Sequence, residues 1–308
     1  MIKKSILIEN KASITSKNLQ LVIQSEIRKS TIPIEDIGFL VLDNQEIYIS
    51  LPAMNLLVEN NTGVIICTKN HLPNGMFLNL NGHHTQQEIF RNQIDASLPL
   101  KKVLWQQTIV EKIKNQGQLL ERVTATKNHF DYLASKVLSG DTTNMEGVAA
   151  QHYWKSFFEP SDKELANKIN FKRERFGDYP NNFLNYGYAI LRAATARALV
   201  GSGLLCTIGI HHKSKYNAFA LADDIMEPFR PLIDEKVIEI IQKYDDEELT
   251  TAIKSELLQV LTRTVYFKDE KSPLMVALQK TSASLQQCFM GTKKKIKYPQ
   301  LWNSTPTV

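Results

Sequence analysis

Cysteine is scarce in this chain. Cys67, Cys206 and Cys288 are scattered through 308 residues in apolar or helical surroundings, and no disulfide framework or thiolate zinc pattern can be drawn from them. No apolar run is long enough to span a bilayer, and no charged start leads into an apolar signal core. The expectation is therefore a protein of the reducing cytoplasm without membrane contact. Internal repeats, heptad arrays and low-complexity tracts are also missing, which argues against a solenoid or a long coiled coil. Neither sign of charge is in large excess: Lys and Arg number 37 and Asp and Glu 32, a net charge of +5. The chain is not a polycation, so affinity for nucleic acid has to come from local clusters of Lys and Arg.

What is present is a hydrophobic content of 43%, enough for two domains with ample core. The pattern divides near residue 98. Before it, short runs rich in Ile, Val and Leu at 5–8, 19–23, 37–42, 47–50, 64–68 and 76–79 are bounded by turn residues and read as strands. They are interrupted by a short helix over 51–59, and 83–97 reads as a polar linking helix. After Pro99 the period becomes helical, over 100–115, 118–137, 145–158, 182–200, 231–243, 247–266 and 273–289. The fold class expected is α+β, with an N-terminal β-rich domain over 1–98 and a larger all-α domain over 99–308.

The chemistry concentrates in Gly209-Ile210-His211-His212, followed by Ala220-Leu221-Ala222-Asp223-Asp224-Ile225-Met226-Glu227-Pro228-Phe229-Arg230-Pro231. Imidazole with carboxylate oxygens and no nearby thiolate suits Mg²⁺ or Mn²⁺ better than structural zinc. On a helix Asp224 and Glu227 share one side, while Ala222, Ile225, Met226 and Phe229 form an apolar stripe. Pro228 disfavours helical backbone at Glu227, so the helix should kink or end there, and Pro231 is placed to open the next one.

A further acid stands in an unusual place. Asp141-Thr142-Thr143-Asn144 is a run of N-cap residues, so a helix should begin near Met145. From Glu146, Ala150, Tyr153 and Phe157 follow at helical spacing, which turns the acid inward. Taken singly, the acids and histidines of the motif read first as a solvated face or core residues, and Glu146 reads equally well as a helix-dipole contact. Taken together they point to divalent-metal phosphodiester chemistry on nucleic acid.

Three stretches resemble the CRISPR-associated integrase family, the endonuclease-like subunit that inserts new spacers: Asn144 to Ala150 with Tyr153-Trp154, Asn181 to Ala193, and Gly209 to Pro231. The resemblance implies that Glu146, His212 and Glu227 bind the catalytic Mg²⁺ or Mn²⁺, with Asp224 and His211 as secondary candidates. Many relatives carry Asp at the Glu227 position and a Gly-Arg pair where this chain has Tyr216-Asn217. The double His, Tyr-Asn and Glu look most like the subtype encoded beside a single large RNA-guided effector nuclease. The family further implies a β-rich dimerisation domain, two homodimers bridged by a small ferredoxin-like partner into a heterohexamer, double-stranded DNA as substrate, and the effector nuclease as a further candidate partner.

Among basic clusters, Lys172, Arg173 and Arg175 lie between two motif stretches and are the better candidates for DNA contact, ahead of the terminal lysines 293–297. Two rivals stay open: a stand-alone metal nuclease on branched DNA, and a non-catalytic DNA-binding scaffold.

Overall fold

The computed structural model describes residues 3–125, 127–157, 171–174 and 177–303. Its N-terminal part holds two four-stranded sheets. In the first, β1 (Lys4–Ile8), β5 (Ile37–Leu42) and β7 (Gly63–Cys67) run parallel, and β8 (Pro73–Phe77) closes the edge antiparallel to β7. In the second, β4 (Lys29–Pro33), β3 (Gln20–Ser25) and β2 (Ala12–Lys17) form an antiparallel meander, with β6 (Ile47–Ile49) parallel to β2.

Strand β5 is buried along its whole length, and its alternation divides the core. Leu40 and Leu42 pack with Ile14, Leu21 and Leu57 between the two sheets and helix α1 (Leu51–Glu59). Phe39 and Val41 face the other way and join the large core of the helical part. An apolar run buried on both faces is what a central parallel strand requires. Strands β2 and β4 were not expected, because Ser, Thr and Lys dominate them; in β2 only Ala12 and Ile14 are buried.

The C-terminal part is helical: α2 (Gln86–Ile94), α3 (Leu98–Thr124), α4 (Phe130–Ser135), α5 (Met145–Phe157), α6 (Asn181–Gly201), α7 (Ala220–Met226), α8 (Arg230–Lys243), α9 (Thr251–Gln259) and α10 (Leu274–Phe289). Expected segments 100–115 and 118–137 are instead one helix of 27 residues, α3, followed by the short α4. Gly117 marks a close approach and not a break: a Cβ there would stand 2.5 Å from Phe130 Cβ. The segment expected as helix over 247–266 ends early, at Gln259, with one 3₁₀ turn after it. A hairpin of β9 (Thr264–Phe267) and β10 (Glu270–Pro273) follows, since Val265, Tyr266 and Phe267 favour a pleated strand. The helical part therefore carries one hairpin that the periodicity concealed.

Sheet and helices are also tied by charge. Lys254 on α9, 3% exposed, puts Nζ 2.8 Å from Glu9 Oε1 and 2.7 Å from Asp43 Oδ2. Among the described residues no helix is long and apolar enough to cross a membrane.

Candidate active site

Three elements deliver the acids. Helix α5 begins at Met145, where Asp141 accepts from the backbone N–H of Met145 (2.8 Å) and Glu146 (3.0 Å), and Asn144 accepts from Gly147 (3.2 Å). The expected cap is thus shared between two side chains, and it fixes Glu146 in the first turn. Helix α7 ends at Met226; Glu227–Phe229 is a 3₁₀ turn and α8 starts at Arg230 with Pro231 in its first turn. Pro228 accounts for the interruption. The turn re-aims Glu227, which is 4% exposed, toward the middle of α3.

There it meets Lys112, a residue the sequence reading passed over. Lys112 Nζ lies 2.6 Å from Glu146 Oε1 and 2.6 Å from Glu227 Oε2. The first contact is an aligned hydrogen bond; the second is an ion pair that leaves Oε2 without an aligned donor. Arg230 Nη2 pairs with the other Glu227 oxygen at 2.8 Å. Burial alone would raise the Glu227 pKa, but Arg230 and Lys112, with His212 adding to them, hold it down to about 2. Burial likewise opposes the charge on Lys112, and Glu227 and Glu146 outweigh it, so its pKa is raised.

The three acids of the motif do different work. Asp223 pairs with Arg192 Nε at 2.5 Å and accepts from Asn217 Nδ2 at 2.8 Å. Asp224, fully buried, accepts from the backbone N–H of Ile210 (2.7 Å), His211 (3.0 Å) and His212 (3.2 Å). Its Oδ1 also stands 2.5 Å from His212 Nδ1. With both oxygens so engaged, Asp224 is an anchor for the histidine loop. Gly209 is required beside it: an added Cβ would lie 2.6 Å from the His212 carbonyl oxygen and 2.7 Å from Asp224 Oδ2.

The two histidines separate. His211 stacks on Trp105, with centroids 4.1 Å apart and planes within 4°. His212, held at Nδ1 by Asp224, keeps Nε2 as its available nitrogen and lies within electrostatic reach of Glu227. The hydrogen bond to Asp224 raises the His212 pKa above its ordinary 6.5, against burial.

Two clefts meet at the loop that carries His212. One, of about 790 Å³, is lined by Arg173, Arg192, Arg230, Tyr188 and Tyr216. The other, of about 530 Å³, is lined by Lys101, Lys213 and Lys215; His212, Ser214 and Asn217 border both. Arg173 reaches its cleft through Asn181 (2.9 Å) and Asn185 (2.8 Å). Lys172 stays exposed beside Glu174, and Arg175 lies outside the described residues.

The family described as CRISPR associated protein Cas1 matches residues 6–266. The CRISPR-associated endonuclease Cas1 of Neisseria meningitidis is 34% identical over 302 residues, 97% of this chain and 96% of that protein. The chain belongs to the Cas1 family. A Cas1 endonuclease of Pyrobaculum aerophilum is 23% identical over 90% of the chain and 96% of its own length. Among solved structures, a casposase bound to integration product superposes with a TM-score of 0.74 at 21% identity, covering 96% of this chain and 92% of that one. A Cas1 protein from Thermotoga maritima gives 0.72 at 15% identity, covering 94% and 98%. The α+β architecture of this Cas1-family chain is the fold those structures share.

Do the residues suit a divalent ion? Two carboxylates and one imidazole are hard and borderline donors of the kind Mg²⁺ and Mn²⁺ accept. The space between Glu146 and Glu227 already holds a positive charge, the Lys112 ammonium, and Glu227 Oε2 beside it lacks an aligned donor. The donor chemistry therefore fits a cation. Among the described residues, no three His, Cys, Asp or Glu side chains are gathered closely enough to enclose one in this conformation.

Proposed function

We propose that this protein is a divalent-metal-dependent DNA endonuclease and integrase that inserts captured DNA fragments at the borders of a CRISPR repeat by transesterification. The observation that carries the reading is the convergence of Glu146 and Glu227 on one buried cationic point, beside a histidine oriented by Asp224 where two basic-lined clefts meet. Family membership supports it, as do the relative named as an endonuclease and the fold likeness to a casposase carrying an integration product.

In this reading Glu146, Glu227 and the Nε2 of His212 hold Mg²⁺ or Mn²⁺. When bound, the ion supplies Lewis-acid stabilisation of charge on the phosphoryl oxygens. Asp224 fixes the His212 tautomer, keeping its proton on Nδ1. Arg173 and Arg192 on one side, and Lys101, Lys213 and Lys215 on the other, neutralise DNA phosphates along the clefts. Attack by a 3′-hydroxyl joins strands; attack by water at the same place cuts them.

Residues 1–98 form the dimerisation unit and 99–308 the catalytic one. Two dimers joined by a small ferredoxin-like partner make the working assembly, in keeping with neighbours solved as Cas6-RT-Cas1–Cas2 complexes. The subtype encoded beside a large RNA-guided effector nuclease is the one the His-His, Tyr-Asn and Glu227 combination favours.

The test is strand transfer. Protein and small partner are mixed with a short duplex bearing free 3′-hydroxyls, a supercoiled repeat plasmid and Mg²⁺ or Mn²⁺, with Glu146→Ala and a chelator alongside. Joining at the repeat border that both E146A and chelator abolish is the expected result. Cutting of branched DNA without joining would replace this reading with the stand-alone nuclease. Joining by E146A equal to wild type would refute the assignment of the site.

A further inference from the structure

Lys112 stands where no solvated lysine stands. Its side chain is 11% exposed, it comes from the middle of α3, and its ammonium touches carboxylates from α5 and from the 3₁₀ turn after α7. Two carboxylates converging in a buried place repel one another unless a cation lies between them. Here the cation is covalently part of the chain.

We propose that Lys112 is a tethered counter-ion that keeps Glu146 and Glu227 in place while the site is empty of metal, and that a divalent ion enters only by displacing it. The inference rests on the reading of Glu146 and Glu227 as metal-holding residues, and it concerns what occupies their place beforehand. Three observations carry it. The ammonium is at 2.6 Å from both acids, in ion-pair contact with each at once. The contact with Glu227 Oε2 is a salt bridge that falls short of an aligned hydrogen bond, so it is held mainly by charge, which another cation can supply. Glu227 retains Arg230 at 2.8 Å on its other oxygen, so it stays anchored when Lys112 leaves. Glu146, 25% exposed against 5% for Glu227, is the side from which an ion can arrive.

The consequence is a toll on metal binding. A site whose competent state is only partly populated binds with an affinity reduced by that fraction, so removing the competitor should tighten binding by about tenfold or more. The same removal leaves the two acids facing each other without compensation, so the metal-free protein should melt lower and gain more from an added ion. Lys112 is thus a positioning residue, and its effect is read in ion binding and melting, independently of DNA joining.

The experiment uses the full chain and Mn²⁺ alone, titrated calorimetrically into wild type, K112M and K112R, with thermal unfolding recorded with and without Mn²⁺. The expected result is Mn²⁺ binding by K112M about tenfold or more tighter than wild type, with a lower metal-free Tm and a larger rise on Mn²⁺ addition. K112R keeps a cation with a bidentate grip on carboxylates, so it should fold as wild type and bind Mn²⁺ more weakly. K112M binding Mn²⁺ no more tightly than wild type overturns the proposal. So does K112R binding as tightly as wild type, an outcome that remains informative if K112M proves too unstable to purify. If neither wild type nor K112M binds Mn²⁺, the metal reading itself fails and this proposal falls with it; binding by wild type with no difference among variants sinks the proposal alone.

Discussion

Replacing Asp224 by asparagine changes the geometry and the protonation of the site at once. Asp224 is fully buried and accepts four hydrogen bonds, three from the N–H groups of Ile210, His211 and His212 and one from the His212 ring. Hydrogen bonds to a charged group contribute roughly 1.5–3 kcal/mol each, and breaking a buried charged pair costs about 3–5 kcal/mol. An asparagine keeps one acceptor oxygen but turns an NH₂ group toward donors. Because the four bonds share one carboxylate they are not additive, and the expected loss is about 3–5 kcal/mol, a fall in Tm on the order of 5–15 °C. Urea unfolding measures the first part. The second part is a pH profile. Asp224 raises the pKa of His212 above its ordinary 6.5, and a ring that offers Nε2 to the proposed metal has to be neutral. Strand joining by wild type should therefore lose half its rate at a pH above 6.5, and in D224N the acid limb should move down. The raised folded pKa also means that this contact stabilises the protein fully below pH 6.5 and fades as pH rises through the folded value. A D224N protein within about 1 kcal/mol of wild type, with an unmoved acid limb, would refute the anchoring role.

Two further outcomes can be checked by unfolding alone. Lys254→Met leaves Glu9 and Asp43 facing each other in a buried joint, with Glu9 Oε2 already lacking a donor; the expected cost is about 3–5 kcal/mol in urea, largely recovered by adding E9Q and D43N, and no recovery would count against the joint. Asp234, 1% exposed and bonded to the hydroxyls of Tyr153 and Tyr188, has its pKa raised to about 6 from 3.8 by burial, against those hydrogen bonds and Arg230. A raised acid favours the folded state when protonated, so its contribution is full below pH 3.8 and is lost as pH rises to about 6. The stability of D234N relative to wild type should then improve by roughly 2 kcal/mol between pH 4 and 7. Parallel pH curves would contradict that reading.

The parts of this site that could be read in the sequence were those set by local rules. The cap run Asp141 to Asn144 announced helix α5 and the inward turn of Glu146, and Pro228 announced the break that re-aims Glu227. Lys112 could not be read this way. Between Glu111 and Ile113 it looks like one more solvated lysine, and its burial depends on α5 and the 3₁₀ turn arriving from distant parts of the chain. The resemblance picked His212 over His211, but local rules offered no ground for it, because Trp105, which stacks on His211, lies on the distant helix α3. Asp224, weighed as a secondary ligand, spends both oxygens on the histidine loop, and only the folded loop reveals those donors. In the fold, strands β2 and β4 and the β9–β10 hairpin escaped because one-sided burial and short length left too little apolar period to detect.

Two buried lysines use the same device, and exposure separates the two uses. Lys254 sits between Glu9 and Asp43, and Lys112 between Glu146 and Glu227. In the first, lysine and acids are 3%, 12% and 0% exposed; in the second, 11%, 25% and 5%. A closed triad joins sheet to helices, with its lysine shut off from solvent. An open one has a face on solvent at Glu146, so its lysine can be exchanged for another cation. Desolvated ion pairs are poor sources of net stability compared with apolar packing. Their value here lies in fixing where charges stand: Lys254 fixes the register of two layers, and Lys112 fixes two acids whose mutual repulsion would otherwise spread them apart.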